Sequence, residues 1–332
     1  MQKKICPSCG ANLFEVDTSI HTPNLFEFAT SELSQDAFLC WLLSWSQDKY
    51  QSMESELHKI AVDFITLIFA QHNAEVPIIK KIEIIKQFKS LDVLAIVNDR
   101  YAILIEDKTY TKHHSNQLVR YRESVKQAYP NLIQLPIYYK IADQSHYDLV
   151  YSAGYKVINR KMILKVLNKD YIKRIKNHIF HDYLNHLQRI EDSISSFITK
   201  PIEDWNHFAW QGFYQELQTK INGEWGYVPN PTGGFWGFWW NTSFEANYYL
   251  QLEQEQLCAK VIAKQGENRK ELRTTVMLEA LVDSEKRGLA LQKPSRFGNE
   301  NIMTVAKRLD YLQTNFDGTI DLERTIEELK KF

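Results

Sequence analysis

The residues with the most chemical content lie between Leu91 and Tyr121. Asp92 stands near the start of an otherwise apolar run, Leu-Asp-Val-Leu-Ala-Ile-Val, and Glu106, Asp107 and Lys108 close the next run, Tyr-Ala-Ile-Leu-Ile-Glu-Asp-Lys-Thr. Charges inside core strands are costly unless something compensates them, and a bound cation does so. Side chains alternate across a strand, so Glu106 and Lys108 share one face and Asp107 takes the other. The break between the runs, Asn98-Asp99-Arg100, is short enough for a hairpin. Such a hairpin brings Asp92 and Glu106 to the same end. Two carboxylates and a backbone carbonyl suit Mg²⁺ or Mn²⁺, which takes oxygen ligands at about 2.0–2.1 Å and keeps several waters. Asp92, Glu106 and Asp107 are the candidate metal ligands. Lys108 beside them can orient a water or stabilise charge on a phosphoryl oxygen.

Further along, Gln117, Arg120 and Tyr121 have the i, i+3, i+4 spacing of one helix face. Gln117 can hydrogen-bond a water or a scissile phosphate, and Arg120 and Tyr121 can hold backbone phosphates. Glu32, in Ser-Glu-Leu-Ser-Gln-Asp, offers another acid to the site. Each feature has a plainer reading. Glu106–Lys108 could be a solvated pair at a strand end, Glu32 could favour a helix dipole, and Gln117 and Tyr121 could simply cover a sheet.

The elements that must position these residues follow from patterning. A helix carries Phe38, Leu39, Trp41, Leu42 and Trp45, capped near Asn24 or at Thr30/Ser31. A second helix over 51–72 repeats Leu57, Ile60, Ala61, Phe64, Ile65, Ile68 and Phe69 at three/four spacing. Strands are expected over 78–88, 91–97 and 101–109, then a helix over 115–128, a strand over 132–141 and a short strand over 147–152. Helices continue between 160 and 198. Beyond Pro201 come a helix over 205–221, a Gly/Pro-rich turn, strands between 235 and 264, a helix over 267–286 and a last one over 322–331. The expected domains are an N-terminal arm (1–22), a mixed α/β domain (23–200) and a C-terminal α+β domain (201–332).

The chain has 332 residues with 40 Lys+Arg against 41 Asp+Glu, a net charge of −1. A nucleic-acid partner must therefore be held by local patches. One such patch spans 156–176, where Lys156, Arg160, Lys161, Lys165, Lys169, Lys173, Arg174 and Lys176 face a single acid, Asp170. Lys161, Lys165, Lys169 and Lys173 recur every fourth residue, so a continuous helix would align them as a phosphate track. The plainer reading is a solvated helix face. The aromatic run between Phe235 and Trp240 could stack on bases, or form core. Cys6 and Cys9 resemble one knuckle of a zinc ribbon, but a structural Zn²⁺ needs four ligands. His21, or a second copy of the chain, would have to help complete the set. His113 and His114 follow the lysine and could contact substrate. No run of 18 apolar residues suggests a membrane span, no signal-peptide core opens the chain, and four cysteines without a disulfide framework fit the cytoplasm.

Asp92, thirteen intervening residues, Glu106-Asp107-Lys108 and then Gln117 and Tyr121 on the next helix resemble the PD-(D/E)XK nuclease superfamily. The αβββαβ order is similar too. The likeness covers roughly 20–200. A Glu on the helix before the strands and the Gln-Leu-x-x-Tyr run look like a branch associated with bacterial phage defence. The resemblance implies a restriction-endonuclease-like core with Asp92 and Glu106 as metal ligands, Lys108 as catalytic lysine, Glu32 as supporting acid and Gln117 as a site residue. The family's proline is absent, since Leu91 precedes Asp92. It further implies an Mg²⁺-dependent endonuclease, acting on DNA before RNA and leaving 5′-phosphates. Residues 201–332 would serve target, regulatory-partner or homo-oligomer contacts. Two other classes remain open, a catalytically silent nucleic-acid-binding module and a protein-interaction scaffold.

Overall fold

The computed structural model describes residues 23–109, 116–230 and 233–332. Cys6, Cys9, His21, His113 and His114 lie outside the described residues. Among those described, one compact unit covers 23–191 and another Asp192–Phe332.

The first unit runs α1 (Leu25–Phe28), α2 (Glu32–Ser44), α3 (Ser55–Gln71), β1 (Ile82–Phe88), β2 (Leu91–Val97), β3 (Tyr101–Lys108), α4 (Gln117–Ala128), β4 (Ile133–Lys140), α5 (Asp148–Ser152), β5 (Lys156–Asn159), α6 (Arg160–Leu167) and most of α7 (His178–Ser195). Its strands form one mixed sheet in the order β1-β2-β3-β4-β5. The first three are antiparallel, and β3, β4 and β5 are parallel. This is the expected mixed α/β core.

The local reasons are legible. Asn98 and Asp99 adopt left-handed backbone (φ 52° for both), the conformation that tight hairpins favour. The Asn98 side chain accepts from the Lys80 and Lys81 amides and so ties this turn to the start of β1. Strand β2 is buried from Val93 to Val97, and β3 from Ala102 to Lys108, because helices cover both faces. Leu94, Ile96 and Leu104 pack against Tyr121 and Val125 of α4. The spaced apolar residues of α3 are all buried, as their periodicity predicts.

Two expectations are corrected here. The 147–152 segment is a helical turn rather than a strand. A helical turn buries Val150 and leaves Leu149 and Tyr151 exposed, with Asp148 favourably placed in its first turn. The lysine repeat is not one helix face. Helix α6 stops at Leu167, and Lys173 sits in a separate 3₁₀ turn, Asp170–Arg174. Asp170, which breaks the basic run, starts that turn. Arg160 also leaves the patch, because it is fully buried.

His186 of α7 is packed against Phe26 and Tyr183. Burial first, then the charge of Arg189, pushes its pKa down to about 4, with Glu27 acting the other way. The neutral ring is therefore favoured in the folded state, and stability is lost as pH falls from 6.5 towards 4. This group should cost about 2 kcal/mol at pH 4.5 relative to pH 7. Urea unfolding at both pH values should show that difference shrinking in His186→Phe; an unchanged difference contradicts the assignment.

The second unit holds α8 (His207–Gln218), β6 (Glu224–Val228), β7 (Phe235–Asn241), β8 (Tyr249–Glu253), β9 (Gln256–Ile262), α9 (Arg269–Arg287), β10 (Ile302–Arg308) and α10 (Leu322–Leu329). Its antiparallel sheet has the order β10-β9-β8-β7-β6. Phe213, Leu217, Phe238, Leu250, Leu252, Val276, Ala280 and Leu329 share its core. Phe238 and Trp240 are buried in this core rather than presented for base stacking, while Trp239 on the opposite face is half-buried. Strands β6 and β10 carry no strong alternation and were not anticipated. Gly212 lets α8 approach the end of α7, since a Cβ there would lie 2.0 Å from the Ile194 carbonyl oxygen. Gly212→Ala should destabilise this unit by about 2 kcal/mol, from the cost of overpacking. A melt of the variant showing no loss would contradict the close approach.

Candidate active site

The three carboxylate and lysine positions meet where β2 and β3 run side by side. Val93 pairs with Ile105, so the adjoining positions bring Asp92 and Glu106 opposite one another. Lys108 Nζ lies 2.8 Å from Glu106 Oε1, 3.5 Å from Glu32 Oε2 and 3.9 Å from Asp92 Oδ2. Gln117, at the start of α4, donates to Glu106 Oε1 at 2.9 Å and to the Tyr121 hydroxyl at 2.8 Å. Glu32, at the start of α2, accepts from the Thr109 amide at 3.2 Å. The structure thus brings Glu32, Asp92, Glu106, Lys108 and Gln117 together from four elements.

Burial sets the electrostatics. Glu106 is fully buried, and desolvation followed by the Asp92 charge pushes its carboxyl up to about 8, against the pull of Lys108. Lys108 is held protonated despite its burial by Glu106, Glu32 and Asp92. Glu106 Oε2 is buried and has no hydrogen-bond partner among the described residues. Two facing carboxylates, one with a bare buried oxygen, form a donor set that fits a hard cation. Among the described residues no group of three or more His, Cys, Asp or Glu forms a ready-made metal centre. Asp92 and Glu106 would therefore share the cation with water, backbone or phosphate oxygens, as Mg²⁺ commonly does.

Other expected residues sit apart from this cluster. The Asp107 side chain turns to the opposite face of β3, fully buried, and takes a hydrogen bond from Gln35 of α2. Its amide instead faces the site, donating to Asp92 Oδ2 at 2.8 Å. Arg120 is exposed on α4, but Tyr121 is buried, so the two do not form adjacent surface contacts. Lys161, Lys165, Lys169 and Lys173 are exposed in and after α6.

Several neighbours were not anticipated. Asp36 is fully buried, and desolvation followed by the Asp92 charge pushes it up to about 7. Gln87 bridges Asp36 and Asp92, its amide 3.3 Å from each. Lys140 is buried beside Lys108 in the β3–β4 register and donates to the Thr109 carbonyl at 2.7 Å. Burial pushes its ammonium down to about 7. The signal for Gln35 and Asp36 was present, since they lie three and four residues after Glu32 and share its helix face. Gln87 had none, because its reach depends on a left-handed backbone (φ 56°) beside the β1–β2 turn.

A fully buried Glu106 and a half-buried Asp92, with Lys108 attached, thus meet at the open end of a hairpin on a mixed sheet flanked by helices. Residues 23–196, more than half of the chain, match the family model of the PD-(D/E)XK nuclease superfamily, and the chain belongs to that superfamily. Membership implies nuclease chemistry with a nucleic acid as substrate. No curated protein and no solved structure matches the chain. No helix among the described residues is long and apolar enough to cross a membrane.

Proposed function

We propose that this protein is a metal-dependent endonuclease that hydrolyses phosphodiester bonds, with DNA as its first substrate. The observation that carries the reading is the convergence of Asp92, Glu106 and Lys108, with Glu106 Oε2 left without a hydrogen-bond partner among the described residues. Asp92 and Glu106 would hold Mg²⁺ or Mn²⁺, with the Asp107 side chain kept behind the strand. A divalent ion in that place polarises a phosphate and lowers the pKa of bound water. Lys108 orients the attacking water and offsets charge on the phosphoryl oxygen. Gln117 holds Glu106 in place, and Glu32 holds Lys108 and Thr109. Arg120 and the exposed Lys161, Lys165, Lys169 and Lys173 supply backbone phosphate contacts.

The setting we propose is cytoplasmic defence against phage, supported by the resemblance of the Glu32 helix and the Gln117–Tyr121 run. Residues 201–332 would contact target, a regulatory partner or a second copy. Cleavage should be assayed on plasmid, linear duplex, single-stranded DNA and structured RNA, with Mg²⁺, Mn²⁺ or EDTA. The expected result is DNA cutting with either metal and none with EDTA. Cutting confined to RNA would reverse the substrate choice. Binding without cutting on any substrate would favour the silent binding module.

The basic segment gives a separate expectation. Exchanging Lys161 and Lys165 for Glu should weaken duplex binding and flatten its salt dependence by about two phosphate contacts, since each contact adds about 0.9 to the slope. A salt slope equal to wild type would remove these residues from the interface.

A further inference from the structure

A buried polar chain crosses the face of the sheet opposite Glu106 and Lys108. The hydroxyls of Tyr139 on β4 and Tyr183 on α7 lie 2.7 Å apart. Tyr183 donates to Gln35 Oε1 at 3.1 Å, and Gln35 Nε2 donates to Asp107 Oδ1. Tyr139, Tyr183 and Asp107 are fully buried and Gln35 is 3% exposed. The direction of the chain follows from its chemistry. The Gln35 amide nitrogen faces Asp107 Oδ1, and its amide oxygen, which can only accept, faces Tyr183. Tyr183 gives its single proton to that oxygen, which leaves Tyr139 as donor to Tyr183. Every hydrogen bond therefore points towards Asp107. The Phe38 ring stacks on Tyr183 with centroids 3.7 Å apart and limits its movement.

The chain ends one peptide away from the site. The amide of Asp107 donates to Asp92 Oδ2, so whatever fixes Asp107 also fixes the group that orients Asp92. The bonds from Tyr139 to Asp107 Oδ1 form a continuous buried chain, which favours one geometry, while Asp107 Oδ2 has no partner among the described residues. An apolar side chain at position 35 could fill the same space without holding that peptide.

We infer that Gln35, Tyr183 and Tyr139 are positioning residues, which tether Asp107 and thereby set Asp92 to take up a divalent cation with Glu106. This rests on the reading of Asp92 and Glu106 as cation ligands. Interactions of this supporting kind are worth about 10- to 100-fold in metal affinity. The lower figure suits a tether acting through a peptide.

The test is calorimetric titration of the full chain with MnCl₂, without nucleic acid, beside a thermal melt of each variant. Tyr183→Phe should weaken Mn²⁺ binding about tenfold, and Gln35→Leu at least as much. Tyr311→Phe is the control, because it removes another fully buried hydroxyl, one that donates to the Gln254 carbonyl in the second unit. It should lower the melting temperature and leave Mn²⁺ binding unchanged. Should Gln35→Leu fail to fold, Tyr183→Phe alone decides. Tyr183→Phe binding Mn²⁺ as wild type does, with a melting temperature lowered like that of the control, overturns the inference and spares the ligand assignment. Wild type failing to bind Mn²⁺ overturns both.

Discussion

Lys108→Met should slow cleavage about 10²–10³-fold while leaving cation binding intact. The Lys108 ammonium lies 2.8–3.9 Å from three carboxylates and is itself almost fully buried. Its loss would remove the group proposed to offset charge on the phosphoryl oxygen, an effect of about 10²–10³ in rate for a single preorganised donor. It also leaves Glu106, Asp92 and Glu32 without their cationic partner, which increases their attraction for a divalent ion. Mn²⁺ affinity should therefore be equal to or tighter than wild type. Asp92→Ala behaves differently, because it removes one of the two carboxylates and should lose both affinity and cleavage. The pair of variants separates holding the ion from using it. If Lys108→Met cut at the wild-type rate, the lysine would be only a structural counter-ion.

Arg160→Ala should be among the most destabilising single substitutions in the first unit. The guanidinium is fully buried and donates to the Ile141 carbonyl at 2.6 Å, with Asp143 at 2.7 Å and Glu191 at 2.8 Å. It ties the end of β4 to α6 and α7. Truncation leaves two acids and a carbonyl facing a void, and breaking such a buried pair costs about 3–5 kcal/mol. Lys161 provides the contrast. It reaches Glu191 at 3.8 Å from an exposed position, and such pairs contribute about 0–1 kcal/mol. Chemical denaturation should show a loss several times larger for Arg160→Ala than for Lys161→Ala. Equal losses would mean that the triad does not anchor the fold.

How much was legible in the sequence depended on whether the information was local. The β2–β3 hairpin was, because Asn98 and Asp99 sit between two apolar runs and fix the register that joins Asp92 to Glu106. The α3 stripe was, because its period matches its burial. Glu32 could be noticed but not placed until α2 docked its first turn against Thr109. The partners of Asp107 were hidden for a different reason. Gln35, Tyr139 and Tyr183 come from three elements spread over nearly 150 positions, and only packing brings them together. The lysine repeat misled because spacing alone does not make a helix continuous, and Asp170 starts a new turn. Within the second unit, β6 and β10 are held by their neighbours in the sheet, not by their own patterning.

The most direct test of the central claim is nicking of supercoiled plasmid by wild type and by Glu106→Gln, each with Mg²⁺ and with EDTA. Glutamine preserves the size of the side chain and can still meet Gln117, but it cannot become the carboxylate that would hold the cation with Asp92. Wild type should nick the plasmid with Mg²⁺ and not with EDTA, and a folded Glu106→Gln should have lost that nicking. Undiminished nicking by Glu106→Gln would contradict the claim.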